Sequence, residues 1–229
     1  MFNADVCALT GDGQPQLVLL DLDGTLIDSV PDLAAATDNM LVALGRKVAG
    51  PQQVADWVGN GADMLVRRAL AEGSEDAALA LDADQVSTAR QYFDDAYLKC
   101  LHHATGAFDG VDTFLQTIEA RKVLVTNKPR LFTEPLIRSL GWQTYFAFLL
   151  CGDDLAEKKP SPVPVLHACK ETGIKPSQTI MIGDSRHDIA AAKAVGVATV
   201  AVTYGYNHGD DIRNSAPDLV VDSLSELLV

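Results

Sequence analysis

The stretch LDLDGTLIDS, residues 20–29, ends an apolar run over residues 17–20 and places Asp21 and Asp23 one residue apart before a glycine. The apolar run is typical of a buried strand, and the Asp-Gly pair that follows it is typical of a turn. Two carboxylates at this spacing repel each other, and burial raises the pKa of such a group unless a cation or positive ligand compensates. The sequence therefore predicts a positively charged partner at the end of this strand.

The rest of the chain divides into two regions of different pattern. Residues 30–105 contain segments with helical spacing and no convincing strand. From residue 106 onwards, short apolar runs alternate with helical segments, which favours a parallel sheet covered by helices on both faces. We predict a doubly wound, Rossmann-like α/β core of residues 17–29 and 106–229, an inserted helical domain of residues 30–105, and a loose N-terminal tail of residues 1–16.

Composition excludes several classes of partner. The net charge of −13 argues against nucleic acid and anionic membranes, because both require a basic surface. No apolar run approaches the roughly 20 residues of a membrane span. The cysteines show no metal-binding or disulfide spacing, which favours reduced thiols in a cytoplasmic protein: Cys7, Cys100, Cys151 and Cys169. The sequence leaves the oligomeric state open between monomer and homodimer.

Polar residues follow the predicted strands at several points along the chain. They are Asp21 and Asp23, Thr126 and Asn127, Lys158 and Lys159, and Asp184 and Asp188. In an open parallel sheet the ligand crevice lies beyond the carboxyl ends of the strands, so we expect these side chains to converge. Carboxylates suit Mg²⁺ that shares its coordination sphere with a phosphate. Such a metal would cancel the repulsion between Asp21 and a phosphate dianion, and Lys159 would cover the remaining phosphoryl oxygens.

Each of these features also has a purely structural explanation. An Asp-Gly pair after a strand is a common turn, Thr126 is in place to cap a strand, and adjacent lysines are usually solvated. Ser185 and Asp188 stand at capping-box spacing before a helix, which explains Asp188 without any chemistry. The order of the four groups, each at a strand end, favours a site.

Four segments resemble the ordered motifs of the haloacid dehalogenase superfamily of phosphotransferases. They are DLDGTLIDS (21–29), VTNKP (125–129), KKPSPVP (158–164) and IGDSRHD (182–188). The resemblance extends over residues 17–222, and the last three motifs are most similar to the phosphoglycolate phosphatase branch.

The resemblance implies a role for each motif residue. Asp21 would be the nucleophile that forms an aspartyl-phosphate, and Asp23 would be first the general acid and then the base for water. Mg²⁺ would be bound by Asp21, the backbone carbonyl of Asp23 and Asp184, with Asp188 as a ligand through water or as a support. The phosphoryl group and substrate would contact Gly24, Thr25, Thr126, Asn127 and Lys159.

The helical insertion resembles the family's cap, which closes over the site and excludes bulk water. Within it, DWVGNGADMLVRRAL (56–70) resembles the segment that faces the crevice. Gly59, Asn60 and Gly61 either direct backbone N–H groups towards a small carboxylate or simply join two helices. Arg67 and Arg68 are expected to be solvated.

One segment departs from the family pattern. Only residues 121–125 precede Thr126 after a helix, where relatives usually have a glycine-containing turn and a longer apolar strand. The turn is therefore unusually tight, or residues are absent from this sequence, and the length of the second strand is in doubt.

These observations favour a Mg²⁺-dependent phosphomonoesterase of small organic phosphates, with 2-phosphoglycolate as the best single substrate. The alternatives are a phosphatase for another small phosphomonoester or pyrophosphate, a dehalogenase, and a receiver-like signalling module that stores its phospho-aspartate. Asp23 argues against a dehalogenase, because cleavage of a carbon–halogen bond needs no acid for the leaving group. The helical insertion and Asp23 favour turnover over storage.

Overall fold

The computed structural model describes residues 1–11 and 13–229. Six parallel strands form the main sheet in the order β5-β4-β1-β6-β7-β8, and β2 and β3 form a separate antiparallel pair. The strands are β1 (Leu17–Leu20), β2 (Ile27–Asp28), β3 (Gly106–Ala107), β4 (Arg121–Val125), β5 (Phe148–Leu150), β6 (Thr179–Gly183), β7 (Ala198–Val202) and β8 (Leu219–Val221).

Helices flank this sheet and fill the insertion. They are α1 (Ala4–Ala8), α2 (Val30–Ala43), α3 (Pro51–Trp57), α4 (Ala62–Leu70), α5 (Glu75–Ala80), α6 (Ala83–Cys100), α7 (Val111–Thr117), α8 (Arg130–Ser139), α9 (Val163–Thr172) and α10 (Arg186–Lys193). Short 3₁₀ turns occur at residues 176–178, 207–209, 212–215 and 224–227. None of the helices in the described residues has the length and apolar character needed to cross a membrane.

Strand β1 lies at the centre of the sheet and decides where the site forms. All four of its residues are buried, and they alternate between two apolar clusters on opposite faces of the sheet. The strand pairs with β4 on one side and β6 on the other. From β1 the later strands are added first on one side (β4, β5) and then on the other (β6, β7, β8), so the strand order changes direction at β1. The crevice beyond such a switch point is the usual ligand site. The prediction of a doubly wound parallel sheet with a helical insertion is confirmed.

The segment whose length was in doubt forms a complete strand. Strand β4 contains five residues and pairs with β1 from Leu17 opposite Arg121 to Leu20 opposite Leu124. Only residues 118–120 join it to the end of α7, so the connection is tight. Thr126 therefore stands directly at the carboxyl end of a paired strand.

The helical insertion, α2 to α6, leaves and rejoins the core at one place. The antiparallel pair of β2 and β3 holds the two connecting segments side by side, with Ile27 opposite Ala107. Asp32 in the first turn of α2 is buried, and its carboxylate accepts N–H bonds from Ala104 and Thr105 in the returning segment. Both connections are therefore fixed to each other.

The prediction of a loose tail over residues 1–16 was wrong. Phe2 and Val6 are buried, and Phe2 bridges to Leu228 at the other end of the chain. Asn3 caps the short helix α1 by accepting from the N–H of Val6, and its own N–H donates to Leu227. Two apolar side chains on one capped turn were enough to dock this segment on the core.

Candidate active site

Lysine and carboxylate side chains from three strand ends meet in the crevice. Asp21 follows β1 directly, Asp184 follows β6, and Lys159 lies in the loop after β5. The Lys159 ammonium lies 2.7 Å from Asp21 Oδ1 and 2.6 Å from Asp188 Oδ1, and its side chain is almost fully buried. The structure thus brings together four of the residues that the sequence placed at this site.

Three buried carboxylates near this ammonium carry more negative charge than it can balance. Asp21, Asp184 and Asp188 offer oxygens that all lie within 4.8 Å of one another. Burial raises the pKa of Asp21 well above its usual range and raises the pKa of Asp184 to about 7, and the charge of Asp188 adds to both effects. Burial lowers the pKa of Lys159, but Asp188 and Asp21 outweigh it and raise the pKa to about 12, so the ammonium stays charged.

The cluster fits a hard divalent cation. Its carboxylate oxygens are the ligands that Mg²⁺ prefers, and the raised pKa values show that negative charge in this site lacks compensation. Asp21, Asp184 and Asp188 are therefore the residues that would hold Mg²⁺.

Local structure fixes the orientation of Asp184 and Asp188. The two oxygens of Asp184 accept from Thr25 Oγ1 at 2.9 Å and from the N–H of Tyr206 at 2.7 Å. Asp188 completes a capping box at the start of α10 through the N–H of Ser185, while its other oxygen faces Lys159. Asp188 therefore both caps helix α10 and belongs to the carboxylate cluster.

Gly24 allows the chain to turn past Asp184. Its φ is +85°, and a Cβ atom at this position would lie 2.2 Å from Asp184 Oδ2. No residue with a side chain fits there, so the Asp-Gly pair is here both a turn and part of the site.

The Asp23 carboxylate is bonded to groups outside the carboxylate cluster. Its carboxylate accepts from Ser29 Oγ at 2.5 Å and from Lys128 Nζ at 3.0 Å. Lys128 is itself buried and also donates to the hydroxyl of Tyr97 on α6 at 2.7 Å. The Asp23 side chain lines the pocket, and a role of its backbone carbonyl as a metal ligand stays a prediction.

The helical insertion approaches the core closely at Asn127. The Asn127 side-chain amide donates to the carbonyls of Gly59 at 3.0 Å and Lys159 at 2.8 Å. Gly61 has a φ of +81°, and a Cβ atom there would lie 2.8 Å from the carbonyl oxygen of Asn127. The two glycines thus join α3 to α4 and also allow this contact, while Asn60 carries a buried side-chain oxygen without a protein partner in the described residues.

A pocket of about 460 Å³, part of it open to solvent, lies between the crevice and the insertion. Its walls are largely apolar, with charged and polar groups at the crevice end. The lining residues are Asp21, Asp23, Leu33, Val58, Gly59, Gly61, Ala62, Leu65, Phe93, Tyr97, Thr126, Asn127, Lys128, Pro129 and Phe132. Apolar walls with a few polar groups at one end are typical of a site for a small organic ligand.

The expectation that Arg68 is solvated was wrong. Its side chain is buried, pairs with Glu75, and donates to the carbonyl of Trp57 at the end of α3. Arg67 is partly exposed and bonds to Asp63 and to two backbone carbonyls. Both arginines are occupied in joining the helices of the insertion, and neither lines the pocket.

Sequence reasoning missed four residues around the site. Lys128, Tyr97, Ser29 and Tyr206 contact Asp23 or its neighbours, and Tyr206 also supplies an N–H to Asp184. Lys128 was visible within VTNKP, between a strand and a Pro-started helix. Tyr97 had no such signal, because a single tyrosine in a long amphipathic helix is typical of a residue that packs in the core.

Comparison with known proteins identifies the family. The model of the haloacid dehalogenase-like hydrolases matches residues 18–202. The chain belongs to this family. A phosphoglycolate phosphatase of Pseudomonas fluorescens (strain Pf0-1) is 47% identical over 217 residues, which cover 93% of this chain and 79% of that protein. A phosphoglycolate phosphatase of Nitrosococcus oceani is 44% identical, with 93% and 95% covered.

Solved structures of this hydrolase family share the fold. The crystal structure of a "predicted phosphoglycolate phosphatase" from Haemophilus somnus 129pt superposes with a TM-score of 0.87 at 34% identity, covering 94% of this chain and 97% of that one. The family membership expected from the four motifs is thereby confirmed.

Proposed function

We propose that this hydrolase is a Mg²⁺-dependent phosphomonoesterase that acts through a phosphorylated Asp21, with 2-phosphoglycolate as its substrate. The observation that carries the proposal is that Asp21 contacts the buried ammonium of Lys159, which would neutralise an incoming phosphoryl group, and lines the same pocket as the side chain of Asp23. The names of its relatives support 2-phosphoglycolate, and the pocket lining, with polar groups beside Asp21, agrees with a small organic phosphate.

In the first step, an oxygen of Asp21 forms a bond to phosphorus and the ester P–O bond breaks. The leaving alkoxide takes a proton from the carboxyl of Asp23. Lys159 and the hydroxyl of Thr126 hold the phosphoryl oxygens, with Gly24, Thr25 and Asn127 completing the cradle. When bound to Asp21, Asp184 and the backbone carbonyl of Asp23, with Asp188 as a ligand or support, Mg²⁺ would neutralise charge on the phosphoryl oxygens.

In the second step, Asp23 is a carboxylate and accepts a proton from water. The water oxygen attacks phosphorus, the bond between phosphorus and Asp21 breaks, and inorganic phosphate leaves. Ser29 and Lys128 position the Asp23 side chain before the substrate binds.

We assign residues 17–29 and 106–229 to the catalytic core and residues 30–105 to a cap that closes over the pocket. The contacts between Asn127 and Gly59 and between Lys128 and Tyr97 join the two parts in this structure. Gly59, Asn60 and Gly61 would present backbone groups to the substrate. The acidic charge and the unpaired cysteines support a cytoplasmic enzyme whose partner is a small phosphorylated molecule.

The test uses Asp23→Asn with p-nitrophenyl phosphate and Mg²⁺. This substrate has a good leaving group, so phosphorylation of Asp21 should proceed while hydrolysis of the phosphoenzyme slows by roughly 10² to 10⁴. We expect a burst of one nitrophenolate per active site and a mass increase of about 80 Da, the signs of a covalent intermediate.

Asp21→Asn is the control and should show neither burst nor added mass. Wild-type turnover by an Asp23→Asn variant would refute the proposed acid and base. A long-lived phosphoryl group on the wild-type protein would instead indicate a signalling module.

A further inference from the structure

The pocket has a single cation beside the proposed acid. Among the described residues that line it, Lys128 alone carries positive charge, and most of the others are apolar. Its ammonium lies 3.0 Å from one oxygen of Asp23 and 3.3 Å from the other. A buried ammonium in an apolar wall is costly unless an anion accompanies it, and Asp23 must turn to the ester oxygen when it acts.

Tyr97 provides a second group without a full set of partners. Its hydroxyl oxygen accepts from Lys128, and its own hydrogen has no acceptor among the residues that the structure describes. Burial raises the pKa of Tyr97 well above its usual value, so the hydroxyl keeps this proton at neutral pH. Phe93 and Phe132 pack against the ring, which fixes its direction. Buried O–H groups normally have an acceptor, and a bound ligand would supply one here.

Because both donors stand beside Asp23, we propose that Lys128 and Tyr97 form the subsite for a carboxylate that the substrate carries next to its ester oxygen. The inference rests on the proposed function and adds the residues that select the substrate. A general acid must lie about 2.6–3.2 Å from the oxygen that it protonates. In 2-phosphoglycolate the carboxylate carbon is joined to the carbon that bears this oxygen, so the carboxylate reaches the ammonium beside Asp23.

The subsite also links recognition to closure of the cap. Lys128 follows the core strand β4, whereas Tyr97 belongs to α6 of the insertion. A carboxylate between them would contact both parts at once, and the backbone of Gly59 and Gly61 borders the same pocket. A phosphate ester without the carboxylate would leave the Tyr97 hydrogen without an acceptor, and Lys128 without an anion once Asp23 turns to the ester oxygen. Both losses disfavour its binding and closure around it.

The experiment compares two substrates that differ only in this group: 2-phosphoglycolate and 2-hydroxyethyl phosphate, in which CH₂OH replaces the carboxylate. For Lys128→Met, kcat/KM for 2-phosphoglycolate should fall by about 10² to 10³, since one partner of a buried charge pair is lost. For 2-hydroxyethyl phosphate the fall should be about tenfold or less, reflecting only the weaker support of Asp23. Tyr97→Phe should lower the preference for 2-phosphoglycolate by about tenfold.

Lys122→Met is the matched control, because Lys122 is a half-buried lysine in β4 that donates to a backbone carbonyl outside the pocket. It should leave the preference unchanged. If Lys128→Met does not fold, the substrate preference of Tyr97→Phe, which lacks only one oxygen, decides the test.

Equal losses for both substrates would overturn the inference and make Lys128 a positioning residue for Asp23. That outcome is distinct from failure of the proposed function, in which the wild-type enzyme itself would show no preference for 2-phosphoglycolate.

Discussion

The substitution Asp184→Asn should make the protein more stable and abolish its affinity for Mg²⁺. Burial, together with the charge of Asp188, raises the pKa of Asp184 from 3.8 to about 7. A carboxylate whose pKa is raised in the folded state stabilises the fold below its unfolded pKa and loses this contribution as pH rises through the folded value. The rise corresponds to about 4 kcal/mol at pH 8 without a metal.

The amide removes this charge and retains one acceptor oxygen. Asp184 accepts from both Thr25 and Tyr206, so the variant loses one of two hydrogen bonds, at a cost of about 1–2 kcal/mol. The net gain is about 2–3 kcal/mol, or roughly 4–12 °C in Tm for a protein of this size. Thermal unfolding in chelator at pH 8 measures it, and the difference from wild type should shrink as pH falls to about 5.

Mg²⁺ should reverse this order. The wild-type protein should gain about 4.1 kcal/mol at a concentration 1,000 times its Kd, which exceeds the advantage of the variant, whereas Asp184→Asn should show no rise in Tm. Asp188→Asn is the contrasting variant, because Asp188 Oδ1 lies 2.6 Å from Lys159 Nζ. Lys159 keeps its contact with Asp21 in this variant, so the lost pair offsets the relief of negative charge, and Asp188→Asn should melt below Asp184→Asn in chelator. If Asp184→Asn melts no higher than wild type in chelator, the reasoning about uncompensated charge is wrong.

Three further changes test other parts of the molecule. A chelator should abolish hydrolysis of phosphate esters, and Mg²⁺ should restore it. Ca²⁺ has a larger and looser coordination sphere and should restore less than about a tenth of the activity. Full activity in chelator would exclude a role for the metal. Asp32→Ala should lower the free energy of unfolding in urea by about 2–4 kcal/mol, because two backbone N–H groups lose their bonds to a buried carboxylate. Asp38→Ala, at a more exposed carboxylate that also accepts two N–H bonds, should lower it by about 1 kcal/mol, and equal losses would contradict the role of burial. Gly61→Ala should raise KM by about tenfold or more, because its Cβ would meet the backbone of Asn127. Gly141 has a similar φ but no atom within reach of a Cβ, so Gly141→Ala should leave KM unchanged.

The convergence of polar residues at one end of the sheet could be predicted because it is encoded locally. Asp21, Thr126 and Asp184 each follow a short apolar run without an intervening residue, and parallel strands bring such positions to one edge. Lys159 required the resemblance as well, since two adjacent lysines in a loop look solvated. Its burial follows from the negative charge of the carboxylates that surround it.

The contacts of the insertion could not be predicted in the same way. Tyr97 lies in the pocket wall and Arg68 lies between helices because of the way α3, α4 and α6 pack. Helical periodicity predicts which face of a helix is buried, but not which element packs against that face. Phe2 was misjudged for a related reason. Its burial against Phe114 joins positions that are distant in the chain, and nothing local to residues 1–16 indicates that contact.

The small antiparallel pair of β2 and β3 bears on how the chain assembles. Strands β1 and β4 are neighbours in the sheet, yet residues 21–120 lie between them, and closing so long a segment costs conformational entropy. Once Ile27 has paired with Ala107, only about 20 residues remain to be closed, which lowers this entropic cost by about 1.4 kcal/mol. A helical insertion that forms early thus shortens the effective chain, and the central pairing of the sheet becomes a nearly local event.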